Sequence, residues 1–263
     1  MERIRLGISA CLLGENVRYD GGHKLDRYLR DTLGQFVDYV PVCPESECGL
    51  GIPREAMRLV GEPAAPRLVT VKTGVDHTER MLEWASRRVT ELEAENLCGF
   101  IFKSRSPSSG MERVKVYPPQ GMPTHAGVGM FARVFMAHFP LLPVEEEGRL
   151  QDPALRENFI ERVFTLKRWR DMLADGPSLA RLVEFHTRHK LLLLAHSPRD
   201  YTELGRWVAN AKRRPFPAVL EDYQARLMTA LRLRATARKN TNVLQHIYIR
   251  SAVAEALHVS IPR

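Results

Sequence analysis

A chain of 263 residues with 44% hydrophobic and 27% charged side chains has the material for a folded core, which excludes wholesale disorder. Its longest unbroken apolar run, residues 191–195, is far shorter than the ~20 residues of a membrane-spanning helix, and the sequence enters strand pattern directly after Met1, so a cytoplasmic protein without membrane attachment is expected. The formal net charge of +8 is uneven: residues 1–148 carry 18 Lys and Arg against 20 Asp and Glu, and residues 149–263 carry 21 against 11.

Residues 4–9 form a short apolar strand pattern. The turn Asp20-Gly21-Gly22 precedes a helical stretch at 24–33, and residues 36–42 are β-branched and aromatic, which predicts a second strand. A third strand is expected at 68–72. A long helix is expected at 76–96, with Met81, Trp84, Ala85, Val89 and Leu92 on one face. Strand pattern returns at 98–103, helix at 127–138, and strand at 141–145. Such alternation predicts an α/β fold of Rossmann-like type, with a mostly parallel sheet covered on both faces. The boundary is expected at residue 148. Beyond it Asp152-Pro153 reads as an N-cap followed by proline at the first helical position. Helices are expected at 153–173, 178–195, 201–212 and 216–239, so residues 149–263 read as an all-helical domain. Its basic balance fits a polyanion, nucleic acid most simply, or an arginine-rich solvated surface.

Three polar segments follow three of these strands: Ser9-Ala10-Cys11-Leu12-Leu13-Gly14, Cys43-Pro44-Glu45, and Ser104-Arg105-Ser106-Pro107-Ser108-Ser109-Gly110. In an open parallel sheet, ligands bind outside the carboxyl ends of the strands, so the fold is expected to gather these loops at one rim. The four cysteines, Cys11, Cys43, Cys48 and Cys98, are too few for a disulfide scaffold at this length. Cys11 and Cys43 are either ligands at that rim or small core residues. Cys98, at the start of its strand, belongs to the core. Glu45 reads either as a proton-transfer carboxylate or as a turn cap, and Ser106 either as an orienting hydroxyl or as the turn residue before Pro107.

The runs Ser9–Gly14 with Arg18-Tyr19-Asp20-Gly21, Cys43-Pro44-Glu45 with Gly49-Leu50-Gly51-Ile52-Pro53-Arg54, and Lys103–Gly110 resemble the thiouracil desulfidase (TudS) family over about residues 4–145. Phe185-His186-Thr187-Arg188-His189-Lys190, Leu194-Ala195-His196-Ser197-Pro198, Leu204-Gly205-Arg206 and Asn240–His246 resemble the helical domain of its two-domain RNA desulfidase (RudS) subgroup. The resemblance implies a 4Fe–4S cluster held by three cysteines with one iron open, and removal of sulfur from 4-thiouridine in tRNA to give uridine. Carried over by motif, the ligand positions are Cys11, Cys43 and Ser109, the acid/base is Glu45, and the active-site serine is Ser106. The family pattern has cysteine where this chain has Ser109. A serine hydroxyl is a hard, poor ligand for iron that prefers thiolate, so a lost or weakened ligand is expected, with Cys48 the nearest substitute. After His246 the resemblance fades, so an altered C-terminus is expected.

The basic runs Arg188-His189-Lys190 and Lys212-Arg213-Arg214, with Arg232, Arg234, Arg238 and Lys239, are expected to follow an RNA phosphate backbone. Phe185, Trp207 and Tyr223 are expected in the core. A base inside tRNA must unstack to reach a buried centre. Two alternatives stand beside this reading. One is a desulfidase of free thiouracil or thionucleosides, small thiolated pyrimidines. The other is a non-catalytic RNA-binding iron–sulfur protein.

Overall fold

The computed structural model describes residues 3–236, 238–241, 243 and 244. The residues after His246, where a departure from the family was expected, lie outside them. The chain divides into two compact units, Met1–Phe159 and Ile160–Arg263. The division falls inside a helix, later in the chain than the residue-148 boundary read from composition.

In the first unit the elements run β1 (Ile4–Ser9), β2 (Val37–Val42), α1 (Pro44–Glu47), β3 (Met57–Val60), β4 (Arg67–Thr70), α2 (Thr78–Glu93), β5 (Gly99–Phe102), β6 (Val114–Tyr117), β7 (Thr124–Gly127), α3 (Met130–His138) and β8 (Val144–Glu146). One sheet has the order β2-β1-β5-β8 and all its pairings are parallel. Ser9 pairs with Val42 and Ile8 with Ile101, so these strands reach their carboxyl ends at one edge. The expected parallel α/β core is therefore present.

Its packing follows from the residues. Gly7 pairs with Phe100 across β1 and β5. A Cβ at Gly7 would lie 2.1 Å from the Phe100 ring, so glycine there lets the aromatic lie flat on the neighbouring strand. Phe100 then packs on Phe135 of α3 at 4.6 Å, and Trp84 of α2 on Phe131 at 5.3 Å. The α2 face read from the sequence, Met81, Trp84, Ala85, Val89 and Leu92, is the buried face. Cys98 is buried in the core.

A second sheet departs from the sequence expectation. Its order is β4-β3-β6-β7, with β3–β4 and β6–β7 antiparallel and β3–β6 parallel. The strand expected at 68–72 is β4, and it belongs to this mixed sheet rather than the parallel one. The helical stretch expected at 24–33 is shorter, a π-turn over Tyr28–Thr32 continued by a 3₁₀ turn over Leu33–Gln35.

The second unit is helical among its described residues. α4 (Pro153–Ala174) is capped by Asp152, whose Oδ1 accepts from the Ala154 and Leu155 amides at 2.8 and 3.3 Å. It is followed by α5 (Leu179–His196), α6 (Pro198–Ala209) and α7 (Phe216–Ala230). Ser178 caps α5, and Ser197 caps α6 with Pro198 at its first position. α7 ends at Ala230, short of the expected residue 239. Trp169 stacks on Tyr223 at 5.2 Å, with Phe185 edge-on to Trp169, so two of the three aromatics expected in the core are there and Trp207 is half-buried. No helix among the described residues is long and apolar enough to cross a membrane.

Candidate active site

The carboxyl edge of the parallel sheet opens into a cavity of about 400 Å³. Cys11, Cys43, Glu45, Ser106 and Ser109 all line it. The three segments that the sequence placed on separate strands therefore share one cavity.

Each segment is positioned by local chemistry. Cys11 sits on a 3₁₀ turn, Ala10–Leu13, that leaves β1 directly and is stopped by Gly14 at φ 98°. Cys43 follows the last residue of β2 and occupies the N-cap of α1. Its amide donates to Glu47 Oε1 at 2.8 Å. Its thiol makes no capping bond and faces the Val17 carbonyl and Glu45 Oε2, each at 3.7 Å.

The third segment is fixed at both ends. The Lys103 amide donates to Ser9 Oγ at 2.9 Å, which ties the end of β5 to the end of β1. The Lys103 ammonium meets Glu147 at 2.5 Å, and Glu147 also accepts from the Ser104 amide at 2.7 Å. Further along, the first amides of α3, which have no partner within their helix, bond the loop: Met130 N–H to the Pro107 carbonyl at 3.0 Å and Ala132 N–H to the Ser108 carbonyl at 3.2 Å. A Cβ on Gly129 would lie 2.5 Å from the Ser108 carbonyl oxygen, so that close approach requires glycine.

The serines of this loop divide the work. Ser106 Oγ accepts from the Ser108 and Ser109 amides at 3.3 and 3.1 Å, a turn-forming role, and also lines the cavity. Ser108, which the sequence did not single out, is fully buried, and its hydroxyl donates to Glu45 Oε1 at 2.5 Å. Arg54 lies 3.7 Å from Glu45 Oε2 and donates to the Val17 carbonyl at 3.0 Å. Glu45 therefore sits between a hydroxyl donor and a guanidinium, with the Cys43 thiol beside it. Both partners lie in runs that carry the family resemblance, but only the fold shows that they meet Glu45.

Burial, reinforced by the negative charge of Glu45, pushes the Cys11 thiol up to about 11 and the Cys43 thiol up to about 12. Lys103 and Arg18 beside Cys11, and Arg54 beside Cys43, pull the other way without outweighing burial, so both thiols stay protonated at neutral pH. Ser109 is buried at 3% exposure and lines the same cavity as Cys11 and Cys43. Cys48, the possible substitute, is buried outside the cavity lining with its thiol 3.3 Å from the Glu45 carbonyl. Among the described residues no group of three or more His, Cys, Asp and Glu side chains is arranged to hold a metal ion. Of the first-loop residues, Asp20 Oδ1 accepts from the Gly22 amide at 3.1 Å, so it builds the turn, while Arg18 lines the cavity.

The basic residues expected to contact RNA lie in the second unit, and their exposure differs. Arg188 is exposed and paired with Glu184 at 2.6 Å; Lys190 is half-buried. His189 departs from the expectation. It is 5% exposed, its ring stacks on Phe185 at 4.0 Å, and its Nδ1 meets the Phe185 carbonyl at 2.8 Å. Consecutive helical residues point ~100° apart, so the middle one of Arg-His-Lys turns inward. Burial holds its ring below the usual histidine range. Lys212, Arg213 and Arg214 are exposed, with Arg214 paired to Asp222. Arg238 is exposed, and Lys239 donates to the His196 carbonyl at 2.5 Å.

Residues 6–147 match the family model of 2-thiouracil desulfurase, and residues 190–252 match a family described as protein of unknown function (DUF1722). The chain is 32% identical over 87 residues to uncharacterized protein YbgA of Escherichia coli K12, covering 33% of this chain and 52% of that protein. It is 30% identical over 108 residues to uncharacterized protein YbbK of Bacillus subtilis 168, covering 39% and 71%. This chain thus spans about half the length of the E. coli relative. A solved structure titled [4Fe-4S]-dependent thiouracil desulfidase TudS is 32% identical, with a TM-score of 0.48, covering 59% of this chain and 97% of that one.

Proposed function

The chain belongs to the 2-thiouracil desulfurase family, and we propose that within it this protein is built to desulfurise 4-thiouridine in tRNA, at a site weakened by Ser109. The observation that carries the reading is the shared cavity: Cys11, Cys43, Ser109 and Glu45 come from three distant segments and line one pocket large enough for a pyrimidine base.

The family resemblance implies a 4Fe–4S cluster held by three thiolates. The donor set here fits that group at Cys11 and Cys43 and does not fit it at the third position, where Ser109 offers a hydroxyl. What the chain's own residues do is independent of that deficit. Glu45 accepts one hydrogen bond from Ser108 and faces Arg54, so its carboxylate is oriented into the cavity with its charge balanced. From there it can take a proton from a water that attacks the thiocarbonyl carbon and pass it to the departing sulfur, so that the C–O bond forms as the C–S bond breaks and the products are the carbonyl base and hydrogen sulfide. Ser106 shapes the turn that presents Ser108 and Ser109.

The basic second half supports a polynucleotide substrate, since each neutralised phosphate releases counterions. The free-base alternative is favoured by one observation: the family match ends at residue 147 and needs none of the second half. The two separate by assay. After anaerobic supply of iron and sulfide, Ser109→Cys is expected to remove 4-thiouridine from tRNA with a steep fall as salt rises. Conversion of free 2-thiouracil at equal or higher efficiency would favour the alternative. Failure on both substrates would overturn the assignment of a desulfidase.

A further inference from the structure

Beside the reaction cavity lies a larger groove of about 1090 Å³, and the two share Met57, Lys103, Ser104, Arg105 and Pro107 as a common wall. We infer that this groove is a phosphodiester track, which holds the backbone of the RNA strand flanking the base presented to the cavity. The inference rests on the desulfidase reading for the identity of that base, and its chemistry stands on the groove alone.

The groove is lined by the second sheet and the loop after β5. Arg105, Arg113 and Lys115 line it, are exposed, and make no ion pair among the described residues. Arg58 also lines it, with its guanidinium 5.1 Å from the centroid of the Tyr117 ring and its buried Nε without a hydrogen-bond partner. The acids in the same wall already have partners. Glu112 pairs with Arg149 at 2.7 Å, and Glu146 accepts from the Met111 and Glu112 amides at 2.7 and 3.4 Å. The groove therefore keeps an unbalanced positive charge.

That excess is not a consequence of a basic chain. Residues 1–148 carry fewer Lys and Arg than Asp and Glu, 18 against 20, so cations here are gathered against the local average. The backbone adds a second argument. Among the described non-glycine residues, those at positive φ are Asn96, Arg105 at 59° and Arg113 at 54°. Asparagine tolerates the left-handed region; arginine has no such excuse, and side chains held there cluster at ligand sites. Two of the three line this one groove. Arginine and lysine without acidic partners match phosphate, and the Arg58 guanidinium is held over the Tyr117 ring on the same wall. A free thiolated base carries no phosphate and would leave all of this unused.

The test is binding of a labelled single-stranded oligouridylate to the full chain, followed by fluorescence anisotropy over a salt series. The double variant Arg113→Asn and Lys115→Gln removes two exposed cations without disturbing a buried contact. It is expected to weaken binding roughly tenfold. It should also flatten the slope of log affinity against log salt by about 1.4, because each phosphate neutralised on a single strand contributes about 0.7. Unchanged affinity and slope would overturn the inference, and so would loss confined to Lys212→Gln, Arg213→Gln and Arg214→Gln in the second unit. Turnover of free 2-thiouracil by Ser109→Cys, measured alongside, reports on the reaction alone. If turnover is absent and the groove variant still loses RNA, the desulfidase reading fails and the track stands.

Discussion

The cavity at the edge of the parallel sheet and the basic groove share a wall, yet they treat charge in different ways. In the cavity Glu45 faces Arg54 and Ser108, and Lys103 is locked to Glu147. In the groove Arg113 and Lys115, with Arg105 on the shared wall, are exposed and make no ion pair among the described residues. Paired charges at the edge of a buried sheet hold geometry; unpaired ones on an exposed sheet wait for an external partner. The difference follows from the sheets. Every strand of the parallel sheet ends at one edge, where buried loops must satisfy each other. The mixed sheet has short strands such as β6, whose alternate residues face water.

The comparison can be broken most strongly at Glu45. On the Ser109→Cys background supplied with iron and sulfide, Glu45→Gln is expected to cut desulfidation by roughly 10² to 10⁴, the usual worth of a positioned acid or base, while the visible absorption of the bound cluster stays. Full activity with the amide would return Glu45 to a turn-capping role.

Next in size is thiol reactivity. With Cys11 held up to about 11 against an ordinary 9.0, its thiolate fraction is depressed roughly 100-fold at pH 7 and about 50-fold at pH 9, and Cys43 more so. Alkylation followed by mass spectrometry should find both slow beside a free thiol across that range. The linkage has a definite sign. The folded chain holds these protons more tightly than the unfolded one, so the stabilisation is complete below about 9 and is lost as pH rises through 11 to 12. Rapid alkylation of either cysteine at pH 7 would mean that the cavity is more open or more positive than the structure has it.

A smaller contrast lies in stability. Glu147→Gln strips the partner from Lys103 in a mostly buried pair and should cost about 2 kcal/mol in a denaturant melt, allowing for partial exposure. Lys115→Gln, on the open groove, should change stability by less than about 0.5 kcal/mol. Equal losses would erase the distinction between structural and waiting charges.

Much of the first sheet was legible because its strands are apolar runs that end in reactive residues, and because the α2 stripe repeats at helical spacing. The second sheet was not. Val114-Lys115-Val116-Tyr117 does alternate and could have been found, but Thr124-His125-Ala126-Gly127 has no apolar pattern and is a strand only through its pairing with β6. At the site, the cysteines and Glu45 stood out by type and position. Ser108 did not, since nothing in a run of serines says which hydroxyl reaches a carboxylate 63 residues away in sequence. His189 shows the opposite error: a residue inside a basic run was read as surface, and the helix turned it into the core.

The most direct measurement is the visible absorption spectrum and iron content of the chain and of Ser109→Cys after anaerobic supply of iron and sulfide. If Cys11, Cys43 and position 109 together form the donor site, the cysteine variant takes up one brown four-iron cluster per chain and the parent takes up far less. Equal iron in both, or a cluster that disappears only with Cys48→Ala, would contradict the account.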